Sequence, residues 1–193
     1  MSAALPPSSS GESVIAPAFT VVDLPLRGPL FDGAIQAYGD AFAEPPYEDG
    51  DRGGEIRKRL LDTHRYRDGY AGFVAVRGDT DVLGMIYGYH GATGQWWHDT
   101  VRASISPQSG RQWLTDSYEL VEVAVSPACQ SRGVGQALIA RLLDRRPERT
   151  CVLSTRCDSR AYQLYARLGF EVIREMAFVT GGFPFYVMGK RLR

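Results

Sequence analysis

Seven residues, Gln130-Ser131-Arg132-Gly133-Val134-Gly135-Gln136, bring two glycines and a cation to the start of an apolar helical repeat. Glycines let a backbone approach a ligand closely. The first turn of a helix presents unpaired N–H groups at the positive end of its dipole. A guanidinium at Arg132 adds formal charge beside them. The chemistry open to such a turn is to hold a pyrophosphate. Two common nucleotide motifs do not fit it. A Walker loop continues Gly-Lys-Ser/Thr, whereas Gly135 is followed by Gln136 and Ala137. A dinucleotide fingerprint needs a third glycine where Leu138 stands. Taken alone, the segment also reads as a Gly-rich turn that binds nothing.

The turn must be carried by a strand before it and a helix after it. Residues 118–125 form an apolar, β-prone run ended by Pro127. Val134, Leu138 and Leu142 keep helical spacing, with Arg145 and Arg146 in the last turn and Pro147 as the stop. Residues 151–155 read as the next strand. Ala161, Leu164, Tyr165 and Leu168 read as a second helix, with Gly169 at its C′ position. From Phe170 onward two or three strands are expected around Gly181-Gly182.

Upstream, 19–26 reads as a first strand, and Leu30, Ala34, Ile35, Tyr38, Ala41 and Phe42 recur at helical spacing. A more polar helix is expected at about 54–64. Strands follow at 70–76 and 82–90, joined by the turn Gly78-Asp79-Thr80-Asp81. Residues 91–116 show no regular period and carry Trp96, Trp97 and Trp113, so a long irregular connection is expected there. This order predicts an α/β fold with a mixed central sheet flanked by helices.

Composition narrows the function classes. Lys+Arg and Asp+Glu are both 22, which gives no support to a nucleic-acid partner. Cys129, Cys151 and Cys157 form no CxxC pair, which argues against a disulfide framework and a zinc site and for reducing cytoplasm. His64 and His90 form no metal constellation with nearby acids, so no metal is expected. No apolar run approaches the roughly 20 residues that cross a bilayer, so no membrane partner is expected. The N-terminus lacks the features of a signal peptide. Its Pro and Ser content predicts a disordered tail over 1–15, followed by a single domain over 16–193.

The run Val123-Ala124-Val125-x-Pro127-x-x-Gln130-x-x-Gly133-x-Gly135 resembles the acetyl-CoA-binding motif of the GCN5-related N-acetyltransferase (GNAT) superfamily. Asp158-Ser-Arg-Ala161-Tyr-Gln-Leu-Tyr165-Ala-Arg-Leu168-Gly169-Phe170 is similar to that family's second motif, at the expected distance downstream. The resemblance implies a GNAT fold with splayed central strands. It implies an N-acetyltransferase with acetyl-CoA as cosubstrate and direct attack by an amine in a ternary complex. The pyrophosphate would lie on the backbone amides of Gln130, Ser131, Arg132, Gly133, Val134, Gly135 and Gln136. The pantetheine arm would run along Val123, Ala124 and Val125, where a backbone N–H would serve a developing oxyanion. Asp158, where many relatives have Asn, is expected to contact the cosubstrate or to cap its helix.

Transfer requires a neutral amine, and an alkyl ammonium with a pKa of about 10.4 leaves only about one molecule in a thousand neutral near pH 7. A carboxylate can take that proton. Glu119 and Glu122 lie on the motif strand, and alternation sends them to opposite faces. Glu119 has the spacing of the base in the histone-acetylating branch and is favoured; Glu122 lies nearer the thioester. Tyr165 stands at the family position for a tyrosine that protonates the departing thiolate, or else belongs to the apolar stripe of its helix. Glu44, Tyr47 and Trp97 are candidates for the acceptor side, where acid and aromatic groups would suit a cationic amine. His98 is an alternative base. No acidic peptide groove is visible, so a small-molecule amine is favoured over a protein, and a homodimer through the C-terminal strands is consistent with the family. The rival readings are a non-catalytic acyl-CoA sensor and a transferase of another acyl group.

Overall fold

The computed structural model describes residues 19–193, so the tail expected over 1–15 lies outside the described residues. Strand β1 (Thr20–Asp23) leads to helix α1 (Pro29–Ala43), where Pro29 pre-sets the first helical φ. Phe31, Ala34, Ile35, Tyr38 and Phe42 form its buried stripe. Helix α2 (Arg52–Asp62) buries Ile56 and Leu60, and a one-turn 3-10 helix, His64–Tyr66, follows it. Strands β2 (Ala71–Arg77) and β3 (Asp81–Gly91) make a hairpin.

The stretch expected to be irregular holds two short helices, α3 (Trp96–Ser104) and α4 (Pro107–Trp113). Ser106 caps α4, its hydroxyl accepting from the Ser109 N–H at 3.1 Å. At nine and seven residues, neither helix shows enough turns for its period to stand out. Next come β4 (Ser117–Val125), α5 (Val134–Leu143), β5 (Thr150–Arg156), α6 (Ala161–Arg167), β6 (Glu171–Ala177) and β7 (Pro184–Arg191).

The seven strands form one sheet in the order β1-β2-β3-β4-β5-β7-β6, antiparallel except for the β4–β5 pair. Helices α1 and α2 pack with Val74, Met85, Tyr87 and Tyr89 on one face. Leu138, Ile139 and Leu142 of α5, with Tyr165 of α6, pack with Phe73, Ile86, Leu120 and Leu153 on the other. Each such Leu or Ile withdrawn from water contributes about 1.5–3 kcal/mol before the entropy of ordering is counted. Helices α3 and α4 cover Val152 and Val187 through Val101 and Trp113.

Two irregularities in β4 shape everything downstream. Its parallel pairing with β5 consists of Ser117–Thr150, Tyr118–Cys151 and Glu119–Val152, and then stops. Beyond that point β5 stays paired to β7 while β4 stays paired to β3, so the sheet forks. The fork is the splay that the family resemblance implies. On the other edge, the register with β3 passes from Gly88–Leu120 to Tyr87–Glu122 and leaves Val121 as a bulge. At Gly88 the strands press together: a Cβ there would lie 2.4 Å from the Glu119 carbonyl oxygen.

Candidate active site

The fork exposes a free edge of β4. The Ser126 N–H donates to the Leu83 carbonyl of β3, so alternation turns the amides of Val125 and Val123 to the opposite edge. The Val125 carbonyl confirms that orientation, because it accepts from the Gln130 side chain at 3.2 Å rather than from a strand. That bond also ties the following loop to the strand end.

The loop then turns twice through left-handed backbone. Ser131 has φ 61, and Gly133 has φ 82 where it precedes α5. The first backbone bond of the helix runs from the Ala137 N–H to the Gly133 carbonyl, leaving the amides of Val134, Gly135 and Gln136 without helical partners. Their N–H groups and the positive dipole end suit an anion. Gln130, Ser131 and Arg132 are exposed beside them. Free strand edge and free amides therefore meet end to end, which fits a ligand with an amide-bearing arm and a phosphate terminus.

Glu119 and Glu122 do not lie on opposite faces, as alternation had suggested. The Val121 bulge shifts the parity by one residue. Glu119 then stands opposite Tyr89, and Glu122 opposite Tyr87, on the α1–α2 face. Their environments differ. Glu119 is the last residue paired across the fork, is only 4% exposed, and has Oε2 buried without a partner among the described residues. Burial pushes its carboxyl up to about 8; Arg67 opposes the rise and Glu122 adds to it. Glu122 is half-buried in the open part of the fork. Burial raises its carboxyl too, while Arg52, a hydrogen bond from the Tyr38 hydroxyl and Arg59 pull it down.

Tyr165 of α6 is buried, edge-on to Phe170 at 5.8 Å between ring centroids. Burial holds its phenol in the protonated form, with Tyr47, Glu122 and Cys151 as its electrostatic neighbours. The fork thus brings Tyr165 and Glu122 together from elements more than 40 residues apart, whereas Glu119 stands behind them.

Asp158 does not cap α6. Its carboxylate is held by Arg156, with Nε to Oδ1 at 3.0 Å and Nη2 to Oδ2 at 2.7 Å. The N-cap position is held by Arg160 without a side-chain cap bond, and Ser159 just before it accepts from the Ala161 N–H through Oγ at 3.2 Å. The Arg156 guanidinium lies 3.7 Å from the Phe183 ring centroid and 5.5 Å from that of Tyr47. It thereby bridges the loop after α1 to the β6–β7 turn. The Arg52 guanidinium also lies 5.6 Å from the Tyr47 ring centroid, so the protein's own cations already attend that ring.

Glu44 is exposed at the end of α1. Trp97 is half-buried, its indole N–H donating to Ser154 Oγ of β5 at 3.0 Å, while the exposed Trp96 stacks near Phe178. Both ring nitrogens of His98 are engaged, by Asp99 and by the Leu114 carbonyl, and it lies away from the fork. A cavity of about 410 Å³ lined by His90, His98, Arg102 and Thr115 sits at the opposite end of β4.

Sequence reasoning missed Tyr38, Arg52, Arg59, Arg67 and Tyr87, which act on the two carboxylates from α1, α2, the following turn and β3, and the contact of Tyr87 with His64. Only tertiary packing brings them there. Among the described residues, no group of three or more His, Cys, Asp or Glu side chains could hold a metal ion, and no helix is long and apolar enough to cross a membrane.

Comparison with known proteins places these features. Residues 66–172 match the model of the acetyltransferase (GNAT) domain, more than half of the chain. A protein of Mycobacterium tuberculosis named a GCN5-like protein acetyltransferase is 39% identical over 121 residues, covering 58% of this chain and 59% of the relative. Among solved structures, the histone acetyltransferase HPA2 and related acetyltransferase of Corynebacterium glutamicum has a TM-score of 0.63 at 21% identity over 90% of this chain and 96% of its own. The ribosomal-protein-S18-alanine N-acetyltransferase of Escherichia coli has a TM-score of 0.58 at 18% identity, covering 90% and 94%. These structures share the fold.

Proposed function

The chain belongs to the acetyltransferase (GNAT) family, and from that premise we propose that it transfers an acetyl group from acetyl-CoA to a primary amine. The observation that carries this reading is the fork: a strand edge freed beyond Glu119 runs straight into the amides that open α5. Acetyl-CoA supplies the activated acetyl group. The residues suited to hold it are Val123 and Val125 along the arm, and Gln130 to Gln136 at the phosphates, with Arg132 adding charge.

Glu122 takes the acceptor's proton, because it is the carboxylate that opens into the fork beside Tyr165. Tyr165 keeps its own proton at neutral pH and delivers it to the departing sulfur. Glu119, which the spacing favoured, stands one layer behind and tunes Glu122. Asp158 acts on the acceptor side by fixing Arg156.

The acceptor is an amine that enters between the loop after α1 and the β6–β7 turn. A small molecule fits the sequence, which shows no peptide groove. A protein lysine or N-terminus is the second reading. It is favoured by the relative's name and by Glu44, Glu48, Asp49 and Asp51, which the fold leaves exposed around that entrance. Calorimetric titration with acetyl-CoA, CoA and ATP, followed by thiol release with small amines and lysine peptides, tests the proposal. Micromolar binding of acetyl-CoA with ATP silent, and amine-dependent thiol release, is the expected result. Binding without transfer to any amine would convert the reading to an acyl-CoA sensor.

A further inference from the structure

We propose that Tyr87 and His64 form the route by which the acceptor's proton leaves Glu122 for solvent. The proposal rests on the acetyl-transfer reading above and adds residues that neither the family motifs nor the fork includes.

The proton balance creates the need. An alkyl ammonium carries three N–H protons and its amide product carries one. As the C–N bond forms and the C–S bond breaks, one proton ends on the sulfur and one must reach water. The first passes through Tyr165. The second starts on Glu122, whose open side faces the fork that both substrates fill during turnover.

Behind Glu122 there is a second way out. Tyr87 is its direct partner in the β3–β4 register, so the two side chains share the α1–α2 face. Tyr87 is wholly buried, and its hydroxyl lies 2.9 Å from His64 Nδ1. His64 sits in the one-turn helix after α2 and is 9% exposed. Among the described residues its Nε2 has no hydrogen-bond partner and is not one of the enclosed, unpartnered atoms, so that edge of the ring is open to water. The path runs under α1 and α2, away from the fork.

The surrounding charges suit the task. His64 faces Arg59 from α2, Arg67 from the following turn, and Tyr87 and Tyr89 from β3. Burial and the two guanidiniums pull its imidazole down to about 4, so at pH 7 the ring is neutral, and in the tautomer that carries its proton on Nε2 the Nδ1 atom accepts the Tyr87 O–H. Glu122 faces Tyr38 from α1, Arg52 and Arg59 from α2, and Glu119 from its own strand. In the transfer, Glu122 gives its proton to the Tyr87 oxygen, Tyr87 gives its own to His64 Nδ1, and Nε2 releases one to water. Tyr87 and Glu122 end as they began, and His64 regains its starting tautomer when water takes the Nδ1 proton and returns one to Nε2.

A histidine that merely fills the core would share the packing but not the kinetics. The test uses Tyr87→Phe, which removes one hydroxyl, and His64→Phe, each in the full chain. Acetyl-CoA affinity and the first turnover should be unchanged, while steady-state turnover in dilute buffer falls about tenfold or more and added imidazole restores it. In parallel, ring ¹⁵N shifts should show His64 neutral at pH 7 with Nδ1 as acceptor, and Tyr87→Phe should move the Nδ1 signal. Unchanged turnover in both variants, a loss that imidazole cannot restore, or a His64 that carries its proton on Nδ1 would each overturn the route. Wild-type protein that transfers acetyl to no amine would instead refute the parent reading, and the route would fall with it.

Discussion

Replacing Glu119 by Gln should make the protein gain stability relative to wild type as pH rises. In the fold this carboxyl is 4% exposed, has an Oε2 without a partner among the described residues, and is pushed from 4.5 to about 8 by burial. In the unfolded chain it titrates near 4.5. Between those values the native state holds a proton that the unfolded state has released, so wild-type stability falls with rising pH by about 1.4 kcal/mol per pH unit. The contribution is fully present below the unfolded pKa and lost by the time pH passes the folded one. Across the window this amounts to about 5 kcal/mol, a large fraction of a typical domain's 5–15 kcal/mol. Glutamine has no such proton. The difference between Glu119→Gln and wild type in urea-unfolding free energy, measured from pH 5 to 9, should therefore climb in favour of the variant and level off above about pH 8. The absolute offset contains packing and amide hydrogen-bond effects, whereas the slope reports proton uptake, that of Glu119 together with the shift its removal causes in Glu122. A flat difference would mean that Glu119 titrates like a solvated carboxylate, and the desolvated position assigned to it behind the fork would be wrong.

Three further outcomes follow from the same geometry. Tyr165→Phe should lower turnover tenfold or more, as general-acid losses of about 10²–10⁴ allow, while calorimetry finds acetyl-CoA affinity nearly unchanged; an unaltered rate would remove the phenol from the mechanism. Gly133→Ala places a Cβ on backbone at φ 82, which should cost about 1–2 kcal/mol in thermal unfolding and weaken acetyl-CoA binding through the displaced amides of α5. Asp158→Asn should weaken the hydrogen bonds to the Arg156 guanidinium and lower the thermal midpoint only slightly, because the carboxylate is exposed, yet leave acetyl-CoA affinity intact; a selective loss of that affinity would return Asp158 to the cosubstrate.

Much of the fold was legible because its elements follow from local chemistry. Gly133, Pro127 and Gly169 punctuate, and Leu138 and Leu142 repeat at helical spacing, so the strand–turn–helix that bears the cradle could be read from residues a few positions apart. The helices α3 and α4 were not legible, since Val101 and Trp113 find their partners on β5 and β7 rather than along their own short stretch. The capping residue of α6 was misplaced for a similar reason. Asp158 has the chemistry of a cap, but Arg156 two residues earlier competes for its carboxylate and wins with two charge-assisted bonds.

The bulge shows most clearly where sequence reasoning runs out. A strand's side chains alternate with period two, so three positions separate Glu119 from Glu122 and assign them to opposite faces. One unpaired residue, Val121, reverses that parity for everything after it. Nothing in Val121 itself announces the change. Its cause lies on the neighbouring strand, where Gly88 lets β4 approach to a distance that a Cβ would forbid. The same residues stand at the place where β4 leaves β5. A single local insertion therefore coincides with the opening of the strand edge and gathers two carboxylates on the α1–α2 face. It also sets Glu122 opposite Tyr87, with the shielded Glu119 behind it. Shifting the register by one more residue would turn Val123 toward α1 and carry Glu122 to the α5 face, away from Tyr38, Arg52 and Arg59. The site depends on that parity more than on the identity of any one apolar residue around it.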